Sequence, residues 1–167
     1  MSEPSSLLPA GGREHDWERM RLLAQALAPA AQRADVRAFV MAGEPMPKAR
    51  HRIGANGRAY KASADSDAEN KTGWALRKHF PRPWTGNLAL GCVFFRPDRR
   101  RMDTDNLIKH VCDAGNGIGW VDDAQITAVY GVVELDVNEP RTLVVVARHL
   151  SSLDRSEEAA RPARRPR

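Results

Sequence analysis

Only two cysteines, Cys92 and Cys112, are present, too few for a disulfide framework, and no Cys/His cluster has zinc-ligand spacing. Long apolar runs are also missing; none approaches the roughly 20 residues that a membrane helix needs. The N-terminus lacks the charged-then-apolar pattern of a signal segment. These absences argue against a secreted, disulfide-stapled or membrane-spanning protein, and the expectation is a soluble, cytoplasmic chain. What the 167 residues do hold is 42% hydrophobic and 28% charged residues, enough for one ordinary domain with ragged ends but not for two cores.

The formal net charge of +5 is less informative than its distribution. Residues 48–101 hold thirteen Lys and Arg against four acids, Asp65, Asp67, Glu69 and Asp98. Residues 102–139 invert the sign, with eight acids against Lys109 alone. A basic block followed by an acidic block suits a metal-dependent phosphodiesterase, in which bases hold a nucleic-acid backbone and carboxylates hold a cation. Two solvated faces of ordinary mixed charge would give the same counts.

Punctuation by Pro and Gly divides the chain into an N-terminal extension (1–33), a domain (34–150) and a basic tail (151–167). In the extension, a Ser/Pro/Gly-rich start reads as disordered, and Trp17, Met20, Ala24 and Leu27 then follow a helical period up to Pro29, which fits either a short helix docking on the domain or a partner, or a poorly ordered leader. The tail is rich in Ser, Ala, Arg and Pro and has little to bury. Within the domain, alternation predicts a strand from Val36 to Gly43, and Gly54-Ala55-Asn56-Gly57 predicts a turn into a short strand at Arg58–Lys61. A helix is expected over 63–79, stopped by Pro81 and Pro83, and a doubly apolar central strand over Leu88–Phe95. Asp105–Ala114 reads as a helix, and Thr127–Asp136 and Thr142–His149 as strands joined by a turn at Asn138-Glu139-Pro140. Strands and helices that do not alternate strictly point to an α+β class, a single domain with a mixed β-sheet packed against helices.

The chemistry concentrates between Arg99 and Gln125. Asp103 suits a helix N-cap, its carboxylate at the positive helix end. Asp105 lies on one helical stripe with Lys109, four residues on. Trp120-Val121-Asp122-Asp123-Ala124-Gln125 follows a glycine-rich loop short enough to fold back. Adjacent side chains rarely face the same way, so one of Asp122 and Asp123 is expected to reach a metal. Hard carboxylates without His or Cys favour Mg²⁺ or Mn²⁺. By themselves these residues also fit a plain cap, a solvated turn and an Asp105–Lys109 salt bridge, and Cys112 reads as a small buried hydrophobe rather than a nucleophile.

Asp98-Arg99-Arg100-Arg101-Met102-Asp103-Thr104-Asp105-Asn106-Leu107-Ile108-Lys109, followed by Gly119-Trp120-Val121-Asp122-Asp123-Ala124-Gln125, resembles the signature of the RusA family of Holliday junction resolvases. Pro45-Met46-Pro47-Lys48-Ala49-Arg50-His51-Arg52, with Tyr60 after it, resembles a basic segment of many members. The likeness covers roughly 36–149 and departs in the glycine-rich stretch 113–119. The resemblance implies a homodimer that binds four-way DNA junctions and makes paired nicks with Mg²⁺, for which Mn²⁺ can substitute, in recombination and repair. It assigns catalysis to Asp103, Asp105, Lys109 and Asp123, metal binding to the three acids, and DNA contact to Lys48, Arg50, Arg52, Arg99, Arg100 and Arg101. The alternatives are a nuclease for other branched DNA, as in phage DNA processing, and a DNA-binding module without turnover.

Overall fold

A strand that is apolar on both sides satisfies its side chains only between two layers, and the doubly apolar stretch beginning at Leu88 takes that position. The computed structural model of the chain describes residues 14–48, 52–53, 59–60 and 63–153, with side chains described for 14–48 and 66–153. In chain order they form helix α1 (Glu14–Leu27), a 3-10 turn (Arg33–Asp35), strand β1 (Val36–Ala42), short strands β2 (Arg52–Ile53) and β3 (Ala59–Tyr60), and helix α2 (Ser63–Arg77). Strand β4 (Leu88–Arg96), helix α3 (Thr104–Gly115), a 3-10 turn (Asp123–Gln125) and strands β5 (Ile126–Leu135) and β6 (Arg141–Arg148) follow. No helix among them is long and apolar enough to cross a membrane.

The main sheet runs β1-β6-β4-β5. β6 pairs antiparallel with both β1 and β4, and β4 pairs parallel with β5 through the crossover helix α3. All nine residues of β4 are buried. The sheet is therefore mixed and the fold α+β, as expected, but one detail of the topology differs. The strands on either side of Asn138-Glu139-Pro140 do not pair with each other; β4 lies between them. A strand as apolar as β4 is stable with a hydrogen-bonded neighbour on each edge, and β5 and β6 supply them. β2 and β3 pair antiparallel by themselves, and the turn expected at 54–57 lies outside the described residues, as does the tail beyond Leu153.

Helices cover both faces. On one, Leu76 and Phe80 from α2 and its end, and Leu107 and Val111 from α3, pack with Leu88, Leu90, Cys92, Phe94, Val144 and Val146. On the other, Trp17, Met20, Leu23 and Ala24 of α1 pack with Val93, Phe95, Leu143 and Val145. The segment expected to be an extension thus includes one of the domain's layers. The helical period was visible, but its docking depends on Gly91: a Cβ there would sit 2.6 Å from Leu23 Cδ2 and 2.7 Å from Leu27 Cδ1. A buried ion pair anchors the same helix, with Arg141 donating to Asp16 from Nε (2.7 Å) and Nη2 (2.9 Å). The Arg141 guanidinium also lies 3.9 Å from the Phe95 ring centroid.

Candidate active site

Helix α3 starts where β4 and its exit turn end, so its first turn stands beyond the carboxyl end of β4, one of the sheet's two interior strands. Asp103 occupies the N-cap with extended backbone (φ −81°, ψ 126°) but makes no side-chain capping hydrogen bond. Its Oδ2 instead accepts from Asn106 Nδ2 at 3.3 Å. The Asn106 carbonyl accepts from the Lys48 amide at 2.9 Å, which ties the 45–48 segment to the helix start. Asp105 is exposed in the first turn. It belongs to no ion pair among the described residues, and its carboxylate stands near the positive end of the helix dipole.

One turn on, the Lys109 ammonium turns away from Asp105. It donates to Asp123 Oδ2 at 2.5 Å and pairs with Asp113 Oδ1 at 3.0 Å. Asp113 in turn pairs with Lys48. Two carboxylates outcompete one, and the Lys109–Asp105 salt bridge that the spacing allows does not form. The hydrogen bonds that Lys109 donates to Asp123 and Asp113 hold its pKa well above the ordinary value, so the group is an ammonium at neutral pH. Burial pushes the Asp113 carboxyl upward, but hydrogen bonds from Lys48 and Lys109 outweigh it and leave the pKa lowered. Cys112, next to Asp113, is nearly buried, and burial raises its thiol to about 11, which leaves it inert at neutral pH.

The 120–125 loop separates the roles of its two acids. Asp122 Oδ1 accepts from the Ala124 amide at 2.8 Å, capping the 3-10 turn, whereas Asp123 faces Lys109. Gln125 fastens the loop. Its Oε1 accepts from the amides of Val121 (2.8 Å) and Asp122 (2.9 Å), and its Nε2 donates to the carbonyls of Trp84 (2.9 Å) and Gly86 (2.8 Å). A buried amide that uses both ends explains why glutamine occupies this position.

The three arginines before the helix are not equivalent. Asp98 accepts from Arg100 through the backbone amide (2.9 Å) and Nε (2.7 Å), and Arg100 also reaches Glu44 at 3.6 Å. Arg100 is therefore engaged in shaping its own turn, while exposed Arg99 and Arg101 make no ion pair among the described residues. Beneath them, buried Arg96 donates to the Arg100 carbonyl at 2.5 Å and to Asp98 at 3.2 Å. Sequence reading missed the hub Asp113, for which an acid four residues after Lys109 was the available signal, and it took Arg96 for a phosphate contact, whereas it is buried and holds the turn. Of the other expected DNA contacts, Lys48 is paired with Asp113, Arg52 lies on β2, and Arg50 falls outside the described residues.

Asp103, Asp105 and Asp123 are all oxygen donors, and His110, buried on the same helix, bonds through Nε2 to Thr72 Oγ1 at 2.9 Å. Among the described residues, no three His, Cys, Asp or Glu are gathered closely enough to hold a metal ion. The donor chemistry nonetheless fits Mg²⁺, a hard cation that binds through one or two carboxylates and keeps several waters.

Two carboxylates, Asp113 on the helix and Asp123 on the following turn, thus flank the Lys109 ammonium, beside an arginine turn at the end of a mixed sheet. The family described as Endodeoxyribonuclease RusA matches residues 42–147, and the chain belongs to that family of endodeoxyribonucleases. Helix α1 and most of β1 precede the matched region although both are integral to the sheet's packing. No curated protein matches the chain.

Proposed function

We propose that this protein is a homodimeric, Mg²⁺-dependent endonuclease that resolves four-way DNA junctions by paired nicks. The observation that carries the reading is the α3 face, where Asp105 and Lys109 share one exposed stripe and Asp123 folds back onto Lys109 from the next loop. Asp103, Asp105 and Asp123 would supply the one or two carboxylates that hold the cation, with waters completing its shell, and when bound it supplies a water of lowered pKa and neutralises charge on the phosphoryl oxygens. Lys109, a permanent ammonium, stabilises negative charge developing on the phosphate rather than accepting a proton. Lys48 keeps Asp113 from monopolising Lys109, and Gln125 holds Asp123 in reach by pinning its loop. Arg99 and Arg101 contact phosphates and set position.

The sheet edge supports the dimer. β5 is an edge strand of ten residues without Lys, Arg or Pro, and its single charge, Glu134, is paired with Arg19. It exposes Val129, Tyr130 and Leu135, and Val137 just beyond it, and so lacks the usual protection of a solvent-facing edge. A second copy pairing along β5 would set two α3 faces about a two-fold axis, matching the symmetry of a junction.

The deciding assay incubates the protein with a synthetic four-way junction and a matched linear duplex, with and without Mg²⁺. Paired nicks confined to the junction and dependent on the cation are expected; binding without cutting would overturn the reading in favour of a non-catalytic module. Within that assay, Lys109→Ala is expected to lose most single-turnover cleavage with little change in junction affinity, because its task lies in the transition state. Normal cutting once bound would remove Lys109 from the chemistry. Arg99→Gln combined with Arg101→Gln should weaken junction binding and lower the slope of log affinity against log salt by up to about 1.8, roughly 0.9 per lost phosphate contact. Arg100→Gln, whose charge is already spent on Asp98, should change that slope less.

A further inference from the structure

A tryptophan left in solvent on an otherwise satisfied helix is a cost unless something covers it. Trp74, on α2, is 69% exposed, whereas Trp17 and Trp120 are buried and Trp84 lies against the guanidiniums of Arg37 and Arg148, at 4.9 and 5.0 Å. The Arg77 guanidinium stands 5.8 Å from the Trp74 ring centroid. Lys78 follows four residues after Trp74, just past the end of the helix. Neither Arg77 nor Lys78 makes an ion pair among the described residues. From Asn70 to Pro97 the sequence holds Lys71, Arg77, Lys78, Arg82 and Arg96 and no Asp or Glu. The nearest acids on the helix, Glu69 and Asp67, lie five and seven residues before the ring.

Helices α2 and α3 pack on the same face of the sheet and touch each other, Thr72 against His110. Trp74, two residues on from Thr72, lies on the opposite, exposed side of α2. We propose that Trp74, Arg77 and Lys78 form a second nucleic-acid contact, in which an unpaired base of a single DNA strand stacks on the indole while its flanking phosphates meet the two cations. An open aromatic face beside unpaired cations is the pairing that single-strand binding uses, and the local charge favours a polyanion over an apolar protein surface or a second copy of this chain. The contact rests on the DNA-cleaving reading only for the source of the strand, a branch point with unpaired bases.

The test is made on the full chain, in EDTA and therefore without cleavage, by titrating labelled oligothymidylate and a blunt duplex into the wild type, Trp74→Ala, Trp74→Phe and Arg77→Gln/Lys78→Gln. Trp74→Ala should weaken oligothymidylate binding roughly ten-fold and duplex binding less than about two-fold, with Trp74→Phe retaining most of the affinity. The double charge variant should lower the single-strand salt slope by about 1.4. Tryptophan fluorescence of the wild type, quenched by oligothymidylate, should lose that response in Trp74→Ala. Unchanged oligothymidylate affinity in Trp74→Ala, equal losses on duplex and single strand, or a changed sedimentation coefficient marking a protein interface would each overturn the proposal. Because Trp74 is exposed, an unaltered Tm is expected in every variant. Junction cleavage by the wild type is scored separately, so failure of the nuclease reading and failure of this contact are distinguishable.

Discussion

Asp105→Asn is expected to abolish junction cleavage, by on the order of 100-fold or more, while junction binding stays the same or tightens. The substitution keeps shape and polarity and removes one negative charge. Asp105 is exposed and belongs to no ion pair among the described residues, so the fold loses only its charge near the positive helix end, about 0.3–1 kcal/mol, and Tm should move by no more than a few degrees. Removing a carboxylate that would hold a cation eliminates turnover, and removing its charge relieves repulsion toward phosphate. Single-turnover cleavage with saturating enzyme, measured beside anisotropy binding in Ca²⁺ or EDTA, separates the two effects. An Asp105→Asn protein that cuts at near wild-type rate would refute the assignment of this helix face.

Deleting residues 1–33 is expected to leave a protein that does not fold, in contrast to the harmless trimming that reading this segment as an appendage implies. Burial of Trp17, Met20 and Leu23 against the sheet contributes on the order of 1.5–3 kcal/mol each. Loss of Asp16 also removes one of the two carboxylates that hold Arg141, leaving Asp136 alone. The three burials alone are comparable to the stability of an ordinary domain, about 5–15 kcal/mol. Truncation before Glu14 spares the helix and should leave Tm within a few degrees of the full chain, whereas truncation after Leu27 should yield aggregate or a chain without a cooperative thermal transition. A cooperative, soluble product of the second truncation would show that α1 is dispensable to the core.

Hydrophobic periodicity is a local property, and it placed most elements within a residue or two: the alternation at Val36–Val40, the doubly apolar run from Leu88, the helix after Asp103. The motif window was likewise legible, because the residues from Asp103 to Lys109 are contiguous and a helix of known pitch fixes which of them share a stripe. Even the split between Asp122 and Asp123 was implied by the rule that neighbours diverge, although the rule does not say which of the two turns inward.

Tertiary structure decided the rest, and in each instance the reason is competition between partners distant in the chain. Lys109 had Asp105 at helical spacing, yet it pairs with Asp113 and Asp123, because the loop after the helix brings a second carboxylate within reach. Arg100 looked equivalent to its neighbours until the fold of its turn gave its charge to Asp98. β5 and β6 are consecutive strands joined by a turn, yet β4 separates them, because its two apolar faces and two open edges need more company than a hairpin provides. Helix α1 showed its amphipathic period in sequence, but only the gap at Gly91 on a strand about 70 residues away turned that period into a layer of the core. Sequence alone determined the elements, the α+β class and the residues of the α3 face; the partners of each charge and the neighbours of each strand belong to the folded state, because local patterns record which face is apolar and not what will cover it.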